Sequence, residues 1–518
     1  MIRKSFINGT IILMLAGFIV KIFGFMYRVY LSSLMGAEGM GVFQLIVPLY
    51  TLIILTLTSG TSIAVSKMAS EQYARCHAEN VRRITLCGLG FVIVLSMIVS
   101  LTLCFFVNFI VNIVIKDIRA YSAIIVLIPS IPIIVASSAL KGYFYAISEV
   151  VPTAFSQMAE QLVRIGVIVL VSKYVSSMSI EAMCALATIG MTLGEAANLL
   201  ILIIFYRFKS RRINIFENKK SIMRKRNIIK EIIKISTPVS FNRLITSIMA
   251  MVEVILIPRM LLVSGMDYQQ SMQEFGKMIG MAMPLIFFPS LVTSSLCVIL
   301  VPAISEALSL RNYEKANQRI SKSIQVTFIL GFIFTVIFFN FHNDISNIVY
   351  KRENIGDMLH VLAYTCVVTY LAQTLVGIQN GLGKQGISLR NSIIACLIRI
   401  AFVCFCIPLY GIRGYVCGIV MSLVVFCVLS LNTIIESTNM KLDMKNWVIK
   451  PFGICIFMVY VGKYITEFFY IFGTEYIITV ILSILMNVIV GLIMMFLVGA
   501  IKREEIFELI GCKKGLKI

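Results

Sequence analysis

Apolar runs long enough to cross a membrane follow one another along almost the whole chain, separated by short polar breaks. A helix needs about 20 apolar residues to cross the hydrocarbon of a bilayer. By that measure the sequence predicts fourteen spans, at 6–33, 41–66, 84–112, 121–146, 152–173, 180–206, 235–262, 277–305, 320–341, 357–380, 387–409, 412–435, 447–466 and 474–500. These runs have helix length, unlike the alternating runs of about ten residues that build a membrane barrel. The expected fold class is all-α, a polytopic membrane protein.

The longest polar stretch, RFKSRRINIFENKKSIMRKRNIIK at 207–230, follows the sixth span and divides the chain. The halves resemble each other. Leu140 and Gly142 in LKGYFYA recur as Leu375 and Gly377 in LVGIQNG, and Arg164-Ile165 recurs as Arg399-Ile400, all at an offset of 235. SKMASEQYARCHAENVRRI resembles PAISEALSLRNYEKANQRI, with Arg75, Arg83 and Ile84 meeting Arg311, Arg319 and Ile320 at 236. Similar segments in one order at nearly one offset predict a duplicated six-helix unit. Many transporters are built from such repeats, with the substrate site near the midplane between the halves. The expected organisation is an N-terminal six-helix lobe at 1–206, a basic cytoplasmic linker at 207–234, and a C-terminal six-helix lobe at 235–440. Two additional spans and a basic tail follow at 441–518.

Composition excludes a water-soluble globule. Of the 518 residues, 59% are hydrophobic and 14% charged, and the mean hydropathy is +0.94. Soluble domains carry roughly 25% charged residues. Forty-six Lys and Arg oppose 25 Asp and Glu, a formal charge of +21. In a soluble protein that excess would suggest nucleic acid; here it sorts by side of the membrane. With a cytoplasmic N-terminus, 31 basic residues fall in inner loops and termini, 9 in outer loops and 6 within or at the edge of spans. Cytoplasmic loops collect Lys and Arg, so both termini are placed in the cytoplasm of a cell-membrane protein. Membrane lipids are expected partners and nucleic acid is not. The 13 Cys include no CxxC pair, and Cys104, Cys297, Cys396 and Cys427 sit in apolar runs, as packing residues do. The first run carries Lys21 and Arg28 and lacks a clear small-residue cleavage site, so no cleavable signal peptide is expected.

Charges inside the spans are the candidates for function. Each costs at least ~2.5–3.5 kcal/mol at mid-membrane and should face a wet cavity or a partner. Lys21 and Arg28, seven residues apart, share one face of the first span. The fifth span carries Glu160 and Arg164, the sixth Glu195, the seventh Arg243 and Glu253, and the eleventh Arg399. Glu160 and Arg164, one turn apart, can neutralise one another. Arg28 and Arg243 can snorkel to an interface, and Glu195 and Glu253 can be the partners of a neighbouring Arg. Lys21 and Arg399 lie near mid-span with no acid one turn away. Five bases facing three glutamates would make a converging cavity cationic, which selects an anion, and the planar fork of Arg suits phosphate. Pro238, Pro284, Pro289 and Pro302 in the seventh and eighth spans, with Gly17 and Gly24 in the first, are candidate bending points.

Nothing in the sequence points to an enzyme, a cofactor or a metal. His77, His342 and His360 have no partner at catalytic or ligand spacing, and no Walker A loop, HExxH or Rossmann fingerprint is present.

GTIILMLAGFIVKIFGFMYRVYLSSLMGAEGMGVFQLIVPLYTL followed by SGTSIAVSKMASE resembles the opening of the stage V sporulation protein B family. That family is in the polysaccharide-transporter branch of the multidrug/oligosaccharidyl-lipid/polysaccharide exporter (MOP) superfamily. The resemblance continues through IPSIPIIVASSALKGYFYAISEVVPTAFSQMAEQLVRI and covers about residues 1–500. It implies two six-helix lobes about a central cavity with two extra helices, as in the lipid II flippases of peptidoglycan synthesis. There, basic residues of the first span hold a lipid-linked diphosphate; Lys21 and Arg28 occupy comparable places, while Arg243 and Arg399 match no quotable motif. The expected substrate is an undecaprenyl-diphosphate-linked saccharide, flipped for the spore cortex, with a coupling cation and cell-wall synthesis enzymes as further partners. The rival readings are a cation-coupled multidrug exporter of the same superfamily and a non-transporting scaffold for cortex synthesis.

Overall fold

The computed structural model describes residues 2–172, 178–213, 223–351, 353–471 and 475–499. Part of the basic linker (214–222), Lys173, Arg352 and the basic tail at 500–518 lie outside the described residues, as do the side chains of 2–14, 210–213 and 470.

Eleven described helices are long and apolar enough to cross a membrane, and two bent helix pairs bring the number to thirteen. The first helix, Ile2–Ala74, is too long for one crossing. At ~1.5 Å per residue its 73 residues would extend roughly 110 Å, against about 30 Å of hydrocarbon. It breaks at Gly36, where φ is 66° and ψ −177°, a backbone that glycine adopts without a Cβ penalty. Counting its two arms separately gives the fourteen spans expected. The protein is an all-α, multi-pass membrane protein, consistent with the plasma membrane.

The duplication is written in the backbone. The fourth and tenth spans are both broken: Ile118–Leu127 meets Ser130–Ala146 at 43°, and Gly356–Ala363 meets Cys366–Gly381 at 54°. Left-handed residues recur at the same spacing, Cys76 (φ 58°) with Arg311 (φ 53°), and Ser148 (φ 57°) with Gly383 (φ 72°). The repeated glycines have a common physical reason. A Cβ on Gly142 would stand 2.8 Å from the Ser62 carbonyl oxygen, and one on Gly377 would stand 2.6 Å from Cys297 Sγ. Positions 62 and 297 are themselves 235 apart, so the fourth span lies close on the second as the tenth lies on the eighth.

Contacts divide the chain into compact units at 1–281 and 282–518. The seventh span, Lys225–Val263, therefore groups with the first unit, packed on Ile2–Ala74. A Cβ on Gly60 would stand 2.5 Å from the Ser236 carbonyl oxygen. This grouping by contact differs from the grouping by sequence repeat, which begins the second half at 235. In the first unit a core of Ala64, Ile84, Leu140 and Phe144 takes in Ile228 and Ile232. In the second, Ile304, Ile320, Leu375 and Ile434 pack with Trp447, and Ile333, Val336, Met458 and Met495 tie the last two spans to the ninth. Large apolar side chains such as Phe105, Phe405 and Leu409 face outward, as a helix surrounded by lipid allows.

The prolines behave unequally. Pro289 caps Ser290–Ser309 at a real break, after a short helix, Met283–Phe287, that holds Pro284 in its first turn. Pro238 and Pro302 lie inside continuous helices. The eleventh and twelfth spans, Gln385–Tyr410 and Ile412–Thr438, are joined by a turn on Gly411 (φ 58°).

Candidate functional site

The fifth and sixth spans, Val151–Val171 and Ile180–Ile213, pack together and bring one face of each into a buried polar cluster. Glu160 is 9% and Glu195 8% exposed, and between them Asn198 is fully buried. Arg164 donates to Glu160 Oε1 at 2.8 Å. Asn198 Nδ2 donates to Glu160 Oε2 at 3.0 Å and to Glu195 Oε2 at 3.2 Å. One amide thus ties together two carboxylates that would otherwise repel. Lys141 lies within electrostatic range of Glu195, so two acids are matched by two bases. The pairing of Glu160 with Arg164 at one-turn spacing is what the sequence allowed. Gly194 makes room for it, since a Cβ there would meet the Glu160 carbonyl oxygen at 2.8 Å.

The first span borders this cluster. Tyr27, buried, donates to the Ala187 carbonyl oxygen at 3.4 Å, and the Arg164 guanidinium sits 5.8 Å from its ring centroid. Tyr50 lies within electrostatic range of Glu160, Arg164 and Glu195. A Cβ on Gly24 would approach Gln161 Oε1 at 3.9 Å. Gly24 shares a helical face with Lys21 and Arg28, so that basic face is turned toward the fifth span. Lys21 is exposed and Arg28 half-buried. Gln161 Oε1 and Asn198 Oδ1 are buried acceptors with no hydrogen bond among the described residues.

Of the remaining candidates, two are on the seventh span and one is in the second unit. Arg243 is exposed on the seventh span, whereas Glu253, ten residues on, is 5% exposed. In the second unit Arg399 lines a cavity of about 270 Å³ with Thr369, Gln373, Ser392, Ala395 and Cys396. Gln373 Oε1 accepts from Thr293 at 3.0 Å, and its amide donates to Ser290. Ala395 stands where the repeat has Glu160, so Arg164 and Arg399 share a position and differ in environment.

Sequence reasoning missed Gln161 and Asn198, although Glu195 and Asn198 at i,i+3 were visible as two polar groups on one face. It also missed a second cluster joining the connections after the first, third and seventh spans. Arg119 bonds Glu38 at 2.6 Å and Asp117 at 2.9 Å. Tyr268 donates to Asp117 at 2.6 Å, and Gln269 to Glu38 at 3.1 Å. Burial alone would push the Asp117 carboxyl up, but hydrogen bonds from Arg119 and Tyr268 outweigh it and hold the group below its usual value. Tyr268 is pushed up by burial and by its bond to Asp117. Among the described residues no group of three His, Cys, Asp or Glu could hold a metal ion.

The match to known families decides what frame these residues belong to. Residues 6–308, more than half of the chain, match the family described as polysaccharide biosynthesis protein. The chain belongs to that family. Stage V sporulation protein B of Bacillus subtilis (strain 168) is 26% identical over 98% of both chains. The lipid II flippase MurJ of the same organism is 23% identical over 63% of this chain and 62% of that one. Among solved structures, an inward-facing multidrug resistance MATE family transporter of the MOP superfamily aligns with TM-score 0.64 at 15% identity, covering 82% of this chain and 96% of the other. At that identity the likeness speaks for the fold. The chain is thus a polytopic membrane protein of the polysaccharide biosynthesis family with the fold of MOP-superfamily transporters.

Proposed function

We propose that the protein carries an anionic lipid-linked saccharide from one leaflet to the other by alternating access, with a peptidoglycan precursor for the spore cortex as the cargo. The observation that carries this reading is the basic face of the first span, Lys21 and Arg28, turned toward the fifth span. In the adjoining cluster Glu160 is paired with Arg164, and Lys141 lies within electrostatic range of Glu195. A cationic recess in a low-dielectric wall favours a phosphorylated headgroup. Full-length kinship with a stage V sporulation protein B and partial kinship with a lipid II flippase support the saccharide cargo. An interior-negative potential assists outward movement of an anion by about 2.3 kcal/mol per charge per 100 mV.

A cation-coupled exporter is the second reading, and one observation favours it. Glu160 and Glu195 converge on Asn198, and the free oxygens of Asn198 and Gln161 sit beside them. Buried carboxylates with spare acceptors take up a proton or an alkali cation. The likeness to MATE transporters supports the same reading.

Proteoliposomes loaded with a fluorescent undecaprenyl-diphosphate disaccharide separate the two. Lys21→Ala with Arg28→Ala is expected to abolish flipping while the protein still reaches the membrane; full activity in that variant refutes the headgroup site. Glu160→Gln with Glu195→Gln is expected to leave headgroup binding intact and to remove dependence on a proton or sodium gradient. Drug efflux without lipid flipping would establish the exporter instead.

A further inference from the structure

The second unit contains a large polar cavity that the transport site does not use. It measures about 850 Å³, within the roughly 300–1,000 Å³ of small-molecule sites. Its walls are the start of the ninth span, Tyr313–Asn340, the end of the twelfth, Ile412–Thr438, and the segment leading into Lys445–Ile449. This is the end of the unit that carries the basic groups at 311–322 and 441–450.

Three features define what would fit. Thirteen of its fifteen lining residues bear a polar or charged side chain, and polar atoms make up about half of the surface they present. Most small-molecule sites are apolar with a few polar groups, so this one is built for a ligand covered in hydrogen-bonding groups. The lining charges balance, Lys322 and Lys441 against Glu314 and Asp443, which does not select a polyanion. The amides Gln318 and Asn446 add paired donors and acceptors, and Tyr313, half-exposed, offers a ring face at the rim.

The walls are also braced. Asn317 donates to the Thr438 carbonyl oxygen at 2.9 Å, Asn446 to Asp443 at 2.6 Å, and the Trp447 indole to Ser321 Oγ at 3.2 Å. The corresponding corner of the first unit is closed differently. There Asn80, early in the third span, accepts a hydrogen bond from the Met223 backbone amide at 3.1 Å, and Ile228 and Ile232 fill the space behind it. The repeat thus has main chain at one corner and an open polar chamber at the other.

We infer that this chamber is a binding site for an uncharged saccharide, held by amide, carboxylate and ammonium groups on its hydroxyls with a sugar face against Tyr313. The inference stands on the cavity and does not require Lys21 and Arg28 to bind a headgroup.

Trp447 is the chain's sole tryptophan and its indole is bonded to a lining residue, so its emission reports on the chamber. The test titrates the full-length protein in detergent with N,N′-diacetylchitobiose, reading tryptophan emission and saturation-transfer NMR in parallel. A saturable response at millimolar sugar is expected. Tyr313→Ala with Gln318→Ala, both at exposed positions, should weaken it at least tenfold, while Lys315→Ala, on the same helix outside the lining, should leave it unchanged. No saturable signal by either method overturns the inference. So does a response to glucose 1-phosphate without one to the neutral sugar, which would mark an anion site, or a response that survives the double substitution. Flipping by the Lys21→Ala, Arg28→Ala protein is read separately, so the two conclusions can fail independently.

Discussion

Removing Glu160 should expose how the first unit tolerates a buried arginine. The Glu160 and Arg164 side chains are 11% and 14% exposed and meet at 2.8 Å, so solvent screens them little. Glu160→Ala leaves the guanidinium without its carboxylate and Asn198 with one acceptor instead of two. Breaking a buried pair by deleting one partner costs about 3–5 kcal/mol, because the remaining charge stays buried. Replacing both partners with apolar groups removes that penalty, so Glu160→Ala with Arg164→Leu should lie much nearer to wild type than the single variant. The assay is a thermal-stability series on detergent-solubilised protein, run as a double-mutant cycle. The single variant should lose roughly 6–20 °C, taking 2–4 °C per kcal/mol, and the second substitution should return most of it. Additive losses would show that Arg164 is held by something other than Glu160, and the account of a neutralised cluster would be wrong.

Other consequences follow from the same geometry. Gly142→Ala and Gly377→Ala should each cost about 1–3 kcal/mol by overpacking, and Cys297→Gly should rescue the second, whose new Cβ meets Cys297 Sγ and Cβ at 2.6 and 2.8 Å; thermal midpoints check both. The Asp117 carboxyl sits below its unfolded value near 3.9, so its stabilisation is complete above about pH 4 and is lost only as pH falls through the lower folded value. Hydrogen exchange, corrected for intrinsic rates, should then show the helix Tyr268–Phe275, whose Tyr268 bonds Asp117, equally protected at pH 7 and pH 5 and loosened well below pH 4; loosening at pH 6 would assign the effect to another group. Arg119→Ala should loosen the same segment at every pH, since both carboxylates lose their shared donor.

How much of this was legible in the sequence depends on the range of the interactions. The spans were legible because bilayer thickness sets their length, and the Glu160–Arg164 pair because one helical turn sets its spacing. The repeated glycines were visible as letters; their cause, backbone approach at Ser62 and Cys297, is a tertiary fact. The breaks in the fourth and tenth spans left unequal traces, since Pro129 marks the first and the second falls at Tyr364-Thr365 with no proline. The Glu38–Arg119–Tyr268 cluster joins residues far apart in sequence and has no periodic signature. Asn198 was overlooked because one amide among leucines reads as a tolerated polar residue until two carboxylates are seen to share it.

The two halves have kept their packing and changed their electrostatics. Leu140 and Leu375 are both fully buried, Gly142 and Gly377 both admit a neighbouring helix, and Arg164 and Arg399 both sit one turn beyond a buried position. In the first half that position is Glu160, and the arginine is compensated within its own unit. In the second it is Ala395, and the arginine lines a cavity. Glu195 and Asn198 likewise correspond to Ser430 and Thr433, which carry no charge. A duplicated membrane unit conserves what closes its helices on each other, because misfit there is costly in any half. Charge compensation is free to diverge, since each half needs only one solution to the same buried cation. The divergence places two buried acids in one unit and an arginine bordering open space in the other. Introducing Ala395→Glu should place a carboxylate one turn from Arg399 on the cavity wall and impair transport. A folded Ala395→Glu protein that is fully active would show that Arg399 has no part in handling substrate.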